Sequence, residues 1–403
     1  MNPGIVVTGM GAVTPVGIGT DNYWNGLISG QCGIGDITRI DTTALPVTRA
    51  AEVFPFEARD YLPAKLTVDL DLFMQFAYIA AEEAMRQSGA EPFEAERTGV
   101  VMGTALSGLT LTGETQEDLT AHGKHVSPKF LSKVMGNIAA AQLAIHHSIR
   151  GPSLTVSTAC SSGGDAITIA AMLLEGGLAD TMVVMAGESA ISPLLVHSLA
   201  LGGALSREGM SRPFDAKRDG FVIGEGGGAL VLETEEHAKK RGAQVFARLL
   251  GWANNTDAFN PVAPAPDGSG ASACMRLALN KAGLTAGDIG YINAHGTATA
   301  KGDLAEAQAI HAVFGSRAVP VSSTKGATGH MMGAGGITEC IACIKALGTG
   351  LLPPTLGCDE PDPACGLTLV TGRAAEVHPD AAMSNALGFG GQNSSIVVGK
   401  YQG

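Results

Sequence analysis

Residues Leu154–Ile167 read LTVSTACSSGGDAI. A strand-like run carrying Leu154 and Val156 stops at small residues. A lone cysteine follows, and a small-residue stretch then opens into the apolar AITIAAMLL. The segment is therefore the joint between a strand and a helix, and it places a thiol at that joint. Two readings of Cys160 stand. It is a buried small hydrophobe, the commonest fate of an unpaired cysteine. Or it is a nucleophile at a helix N-terminus, where unpaired backbone N–H groups and the helix dipole stabilise a thiolate. The local pattern leaves both open.

The same strand-then-helix plan recurs along the chain. Strand candidates are GIVVTG, TGVVMG, SLTVST, TMVVMAG, GGALVLE, IGYINAH, VPVSST, LTLVTG and NSSIVVGK. Helix candidates are DLFMQFAYIAAEEAMRQ, DAITIAAMLLEGG, ASACMRLALNKAG, DLAEAQAIHAVFG and GGITECIACIKALG, each with apolar residues at three- and four-residue spacing. Glycine closes several of them, as at a helix C-terminus. This alternation predicts a layered α/β fold. A charged stretch, Glu235 to Gln244, reads as a seam, with strands and helices laid out similarly on either side. No clear sequence repeat accompanies it. No low-complexity linker separates the halves, so they are expected to pack as one body.

Composition excludes several classes. With 403 residues the chain has room for two domains or one large duplicated unit, and 45% hydrophobic residues suffice for a substantial core. A net charge of −12 argues against a nucleic-acid coat, which needs a basic surface. No stretch reaches the roughly 18 uninterrupted apolar residues of a membrane span, and MNPGIVVTGMGAV lacks the basic start of a signal peptide. Seven scattered cysteines fit reduced thiols and a cytoplasmic location. The 55 glycines follow no collagen-like period and point to tight turns and close backbone approaches.

Two glycine clusters fail as dinucleotide sites. GMGAVTPVG departs from G-x-G-x-x-G, and GFVIGEGGGALVLE runs into a strand instead of the helix that would hold a pyrophosphate. Cys340 and Cys343 form a C-x-x-C without a second pair, inside an apolar helical pattern, and read as core residues. Two histidine stretches are more informative. YINAHGTATAKGD puts His295 directly after a strand; SSTKGATGHMMGAGG puts Lys325 at a strand end and His330 five residues later in a glycine-lined turn. Such positions suit a pocket wall. The other histidines, such as His146, His147 and His237, sit on helical patterns and read as solvated or packing groups.

STACSSG, NAHGTATAKGD, SSTKGATGH and NALGFGGQNS, in this order, resemble the elongating β-ketoacyl-acyl-carrier-protein synthases, the FabF-like condensing enzymes. VVTGMGAVTPVG, RGPSLTVSTAC, SRPFDAKRDGFVIGEGGGALVLE and LLPPTL agree, so the resemblance runs from about residue 4 to 400. It implies a thiolase fold of two similar halves, 1–240 carrying the nucleophile and 241–403 carrying a histidine pair, stacked as five αβαβα layers and usually dimeric. It implies that Cys160 accepts the acyl group and that His295 and His330 are the catalytic pair, with Lys325 behind them and Glu339 as its partner. Phe389 is then the gate whose N–H joins that of Cys160 in an oxyanion hole, and Thr297 and Thr299 bond the carrier's pantetheine arm. Leu106, Leu199 and Leu387 take substrate-binding positions. The implied reaction is decarboxylative condensation of a Cys-bound acyl group with malonyl-carrier protein, with no metal or organic cofactor. The implied partners are acyl- and malonyl-loaded carrier protein and a second subunit, either another copy or a chain-length-factor homologue.

Three departures leave the pathway open. KLTVDLDLF puts Val68 and Asp69 where relatives often have basic carrier-docking residues, so the docking patch is expected to be shifted or weaker, drawn from Lys65, Lys124, Lys129, Lys133, Arg207 and Arg212. Leu387 stands where many relatives have phenylalanine. The histidine motifs differ slightly from common fatty-acid versions, which keeps a type II polyketide or polyene ketosynthase as the alternative to fatty acid synthesis. A degradative thiolase is disfavoured because no cysteine follows Pro379 to act as a second base. A silent length-control subunit is disfavoured by Cys160, the histidines and Lys325.

Overall fold

The computed structural model describes residues 4–402. Eleven strands carry the sheet path: β1 (Ile5–Thr14), β2 (Thr98–Gly103), β3 (Ser153–Val156), β4 (Thr181–Glu188), β5 (Gly226–Thr234), β6 (Ala247–Thr256), β7 (Tyr291–Asn293), β8 (Pro320–Ser322), β9 (Thr368–Leu369), β10 (Ala381–Gly388) and β11 (Gln392–Gly399). The packing helices are α1 (Leu72–Ser88), α2 (Asn137–His146), α3 (Ser162–Glu175), α4 (Ser269–Ala282), α5 (Ala300–Phe314) and α6 (Gly335–Thr349).

The spatial order is β9-β8-β7-β10-β11-β6-β1-β5-β4-β2-β3. Counting the first half as β1 to β5 and the second as β6, β7, β8, β10 and β11, both run third-second-fourth-fifth-first. The sense of pairing repeats as well: two parallel ladders, then two antiparallel ones. The duplication suspected from layout is thus written in the topology. The halves meet where β1 pairs with β6, over three residues only, Ile5–Val7 against Ala247–Leu249. Beyond that corner the two sheets diverge and enclose a central layer.

Helices fill three layers. α1 and α2 cover the outer face of the first sheet; α3 and α6 lie side by side between the sheets; α4 and α5 cover the second sheet. Separate apolar cores occupy these interfaces, the largest around α3 and α6. This is the five-layered thiolase fold. The glycines of GMGAVTPVG are packing residues: a Cβ at Gly9 or Gly11 would sit 2.0 or 1.8 Å from the carbonyl oxygens of Ala84 and Ala80, so α1 lies directly on β1.

Two strands escape the sequence reading. β10, AAMSNALG, has no β-branched residue, and β6, ARLLGWANNT, has one, at its end. LTLVTG contracts to the two-residue β9. All five helix candidates form, and Cys340 and Cys343 are fully buried in α6. No helix among the described residues is long and apolar enough to cross a membrane.

Candidate active site

By the internal symmetry, α3 and α6 are equivalent, each following the third strand of its half. Cys160 precedes α3; Lys325 and His330 precede α6. The helices cross where glycines replace side chains. A Cβ at Gly336 would lie 2.6 Å from the Gly164 nitrogen, and one at Gly163 would lie 2.8 Å from the Gly333 oxygen. This near-contact of backbones carries the two N-terminal ends, and the side chains beside them, into one space.

There the His330 Nε2 stands 3.1 Å from the Cys160 Sγ. The His295 ring lies edge-on to His330, centroids 5.2 Å apart, and the ring of Phe221 packs against His330 in the same manner at 5.0 Å. Strained backbone aims these groups. Ala159, Ala298 and Met332, one to three residues from Cys160, His295 and His330, have φ of 50°, 67° and 45°, where residues with a Cβ are rarely held. The turn at the cysteine is pinned by Ser162, whose hydroxyl donates to the Ala159 carbonyl and accepts from the Thr158 N–H, at 2.6 and 2.9 Å. Ser161 ties the same turn to the second half by donating to the carbonyls of Ala386 and Gln392.

Charge and burial set protonation. Cys160 is buried, and desolvation pushes its thiol up to about 11, against the pull of the Lys325 charge and the Phe389 N–H turned toward the sulfur. Burial thus outweighs the helix dipole and favours the thiol over the thiolate. Burial, and after it the Lys325 charge, holds His295 and His330 well below the ordinary imidazole value, so both rings are neutral. Lys325 and Glu339 form a buried ion pair, with burial pushing Glu339 up and the ammonium pulling it back.

A cavity of about 180 Å³ opens onto the trio. All three leucines singled out in the sequence, Leu106, Leu199 and Leu387, line it, as do Thr297 and Thr299, whose hydroxyls bond each other at 3.0 Å. Phe389 also lines it and is 41% exposed. Every residue named from the motifs thus converges on this cavity except Lys325 and Glu339, which sit behind the histidines.

Sequence reading missed the carboxylates that shape the site. Glu306 accepts from the N–H groups of His295 and Gly296, each at 2.8 Å. Asp303 does the same for Phe214 and Ala298 at 2.7 and 3.0 Å. Glu188, fully buried, accepts from Ala105, Leu106 and Gly333 N–H and from the Thr104 hydroxyl. Desolvation pushes Glu188 and Glu306 up to about 7 and Asp303 to about 6. The available signal was acidic residues three apart, 303 and 306, in an alanine-rich helical stretch.

A thiol facing two neutral imidazoles in an apolar cavity, at the seam of a duplicated five-layer fold, defines a thiolase-fold condensing enzyme, an acyltransferase that forms carbon–carbon bonds. The chain belongs to the β-ketoacyl synthase family: residues 2–238 match its N-terminal domain and residues 246–359 its C-terminal domain. Among similar proteins, one named 3-oxoacyl-acyl-carrier-protein synthase 2 from Vibrio cholerae is 40% identical, covering 98% of each chain. Its namesake from Synechocystis is 38% identical over 99% of this chain and 98% of its own. Among solved structures, the ishigamide ketosynthase/chain length factor superposes with a TM-score of 0.94 at 30% identity, covering all of both chains. A type II polyketide ketosynthase in complex with its acyl-carrier protein superposes with 0.89 at 29%, again over both whole chains.

Proposed function

We propose that the chain condenses a Cys160-bound acyl group with malonyl-carrier protein to give β-ketoacyl-carrier protein in fatty acid synthesis. The observation that carries this reading is the 3.1 Å approach of His330 Nε2 to Cys160 Sγ with His295 beside it. In the first half-reaction the sulfur attacks the acyl thioester, and its proton leaves by way of His330 to the departing carrier thiol. The N–H groups of Cys160 and Phe389 hold the tetrahedral oxyanion. Malonyl-carrier then enters past Phe389, its arm bonded by Thr297 and Thr299. Loss of CO₂ leaves an enolate whose oxygen takes hydrogen bonds from His295 and His330. Its carbon attacks the acyl-cysteine, the C–S bond breaks as the β-ketoacyl thioester forms, and the released Cys160 thiolate takes a proton from solvent by way of His330. Burial, and after it Lys325 held by Glu339, keeps both imidazoles neutral, which suits them to donate to an anion and to accept a thiol proton.

The test is mass spectrometry of the protein after exposure to acyl-carriers of graded length, followed by malonyl-carrier. An acyl adduct on Cys160 that is discharged as ketone product by malonyl-carrier is expected. An adduct absent from the wild type, or product made by Cys160→Ala, rejects the reading.

A ketosynthase of type II polyketide or polyene synthesis is the second reading, favoured by the full-length superposition on the ishigamide ketosynthase/chain length factor. It requires a chain-length-factor partner for turnover, whereas the first reading needs this chain alone. We take the halves to be 1–240 and 241–403, a division supported by matched domains that end at residue 238 and begin at residue 246. A cytoplasmic location is part of the proposal, supported by the free cysteines among the described residues. The carrier is assigned to a patch where Lys65, Lys129 and Lys133 surround Asp69, with Lys129 paired to it. Glutamate at all three lysines is expected to weaken carrier affinity, and unchanged affinity rejects the patch. The partner subunit is taken to be a second copy docked on β3, an open sheet edge that leaves Leu154 exposed.

A further inference from the structure

We propose that Cys160, His295 and His330 form an inhibitory site for a thiophilic divalent cation of the zinc and cadmium class. The coordination rests on geometry; only its consequence, inhibition, rests on the proposed function. One sulfur and two imidazole nitrogens lie within 4.8 Å of one another. Tetrahedral zinc, with bonds of about 2.3 Å to sulfur and 2.0–2.1 Å to nitrogen, sets such donors about 3.5 Å apart. The Cys160–His330 separation of 3.1 Å lies within about half an ångström of that spacing, and closing His295 onto them takes about an ångström of side-chain motion. Three protein donors with a fourth position facing a cavity is the pattern of an open zinc site.

Burial and the Lys325 charge keep the imidazoles unprotonated, which leaves their nitrogens free as donors, and nearby acidic groups offset part of that charge. Lys325 is offset by Glu339, and the carboxylates of Glu188 and Glu306 are held by backbone N–H groups behind the trio. A second cluster, Glu82 with His146 and His147, offers less: His147 already uses both ring nitrogens on Glu82 and Glu91. At the trio the ring of His330 meets only sulfur through Nε2. Binding replaces the thiol proton with the metal and releases that proton to solvent, so the sulfur is withdrawn from acyl transfer without being oxidised or alkylated. A chelator reverses it.

Reduced full-length protein titrated with cadmium chloride tests this, read by the ultraviolet thiolate-to-cadmium absorption and by cadmium NMR of the wild type. The expected result is a single tight site with one sulfur and two nitrogens, lost in Cys160→Ser and weakened about tenfold or more in His295→Ala and in His330→Ala. Zinc is then expected to block acylation of Cys160 until a chelator is added. Absorption that persists in Cys160→Ser, or an NMR shift without nitrogen donors, overturns the site, and the wild-type spectrum decides even where a variant fails to fold. Binding is read without turnover, so a chain that binds cadmium at the trio but does not condense rejects the proposed function alone. One that condenses but takes up no metal rejects this inference alone.

Discussion

At the scale of single residues, the two histidines share an environment but not a task. His330 touches the sulfur; His295 does not. Replacing His295 with alanine is therefore expected to spare acylation of Cys160 and to slow decarboxylation of malonyl-carrier by about 10²–10³, the effect of losing one oxyanion donor. His330→Ala is expected to slow both steps, and rapid-quench measurement of acyl-enzyme and CO₂ separates them. Lys325 and Glu339 make a second pair to separate. Both are buried, so Lys325→Met alone strands a charge and is expected to cost about 3–5 kcal/mol of stability by urea unfolding. Lys325→Met with Glu339→Leu removes both charges and is expected to regain most of that stability. Activity is expected to stay low in the double variant, since burial alone then biases the imidazoles and the Lys325 contribution is lost. Recovered turnover would reduce the pair to a structural role.

At the scale of elements, the site depends on how closely α3 and α6 approach. Gly336→Ala puts a methyl group 2.6 Å from the Gly164 backbone nitrogen and is expected to destabilise by about 1–3 kcal/mol, the cost of overpacking. It is also expected to lower acylation by moving Cys160 from His330. Gly348→Ala on the same helix meets nothing within 4 Å and is the control, expected to stabilise by about 0.5–1 kcal/mol. Thermal melts of the two variants check both signs. Elements also show what the sequence made legible. α3 and α6 declare themselves by periodicity, and the motifs before them name Cys160, Lys325 and His330 because each lies within a short, contiguous turn. β6 and β10 stay hidden because their strand character comes from neighbouring strands, not from β-branched side chains. Glu188 stays hidden for a related reason: its donors come from residues 104–106 and 333, which only the folded chain assembles. Glu306 holds His295 from eleven residues away on a helix whose face no local pattern ties to the strand end.

At the scale of the whole molecule, buried carboxylates shape the response to pH. Glu188, Glu225 and Glu306 are pushed up to about 7, chiefly by desolvation. The folded state therefore holds their protons more tightly than the unfolded chain. Their contribution is fully present below the ordinary glutamate value and is lost as pH rises through about 7. His295 and His330 act oppositely, favouring the fold once pH exceeds the ordinary imidazole value of about 6.5. Above about pH 7 the unfolded imidazoles have lost most of their protons while these carboxylates still titrate, so urea stability is expected to fall between about pH 7 and 8 and to fall less steeply in Glu225→Gln. An unchanged slope rejects the assignment. The open edge of the sheet raises a larger question of assembly. Among the described residues β3 pairs only with β2, and Leu154 on it, Ile145 on the adjacent α2 and Met135 just before α2 are 47%, 73% and 47% exposed. An unpaired strand beside exposed apolar side chains would suit the proposed second copy, related by a two-fold axis so that β3 meets β3. Leu154→Lys with Ile145→Glu is expected to convert a dimer into monomers in sedimentation while leaving the far-ultraviolet circular dichroism unchanged. Both residues lie outside the cavity lining, so loss of condensation in that monomer would mean that the catalytic geometry needs the partner. A wild-type chain that sediments as a monomer, or a variant that remains dimeric, would place the interface elsewhere.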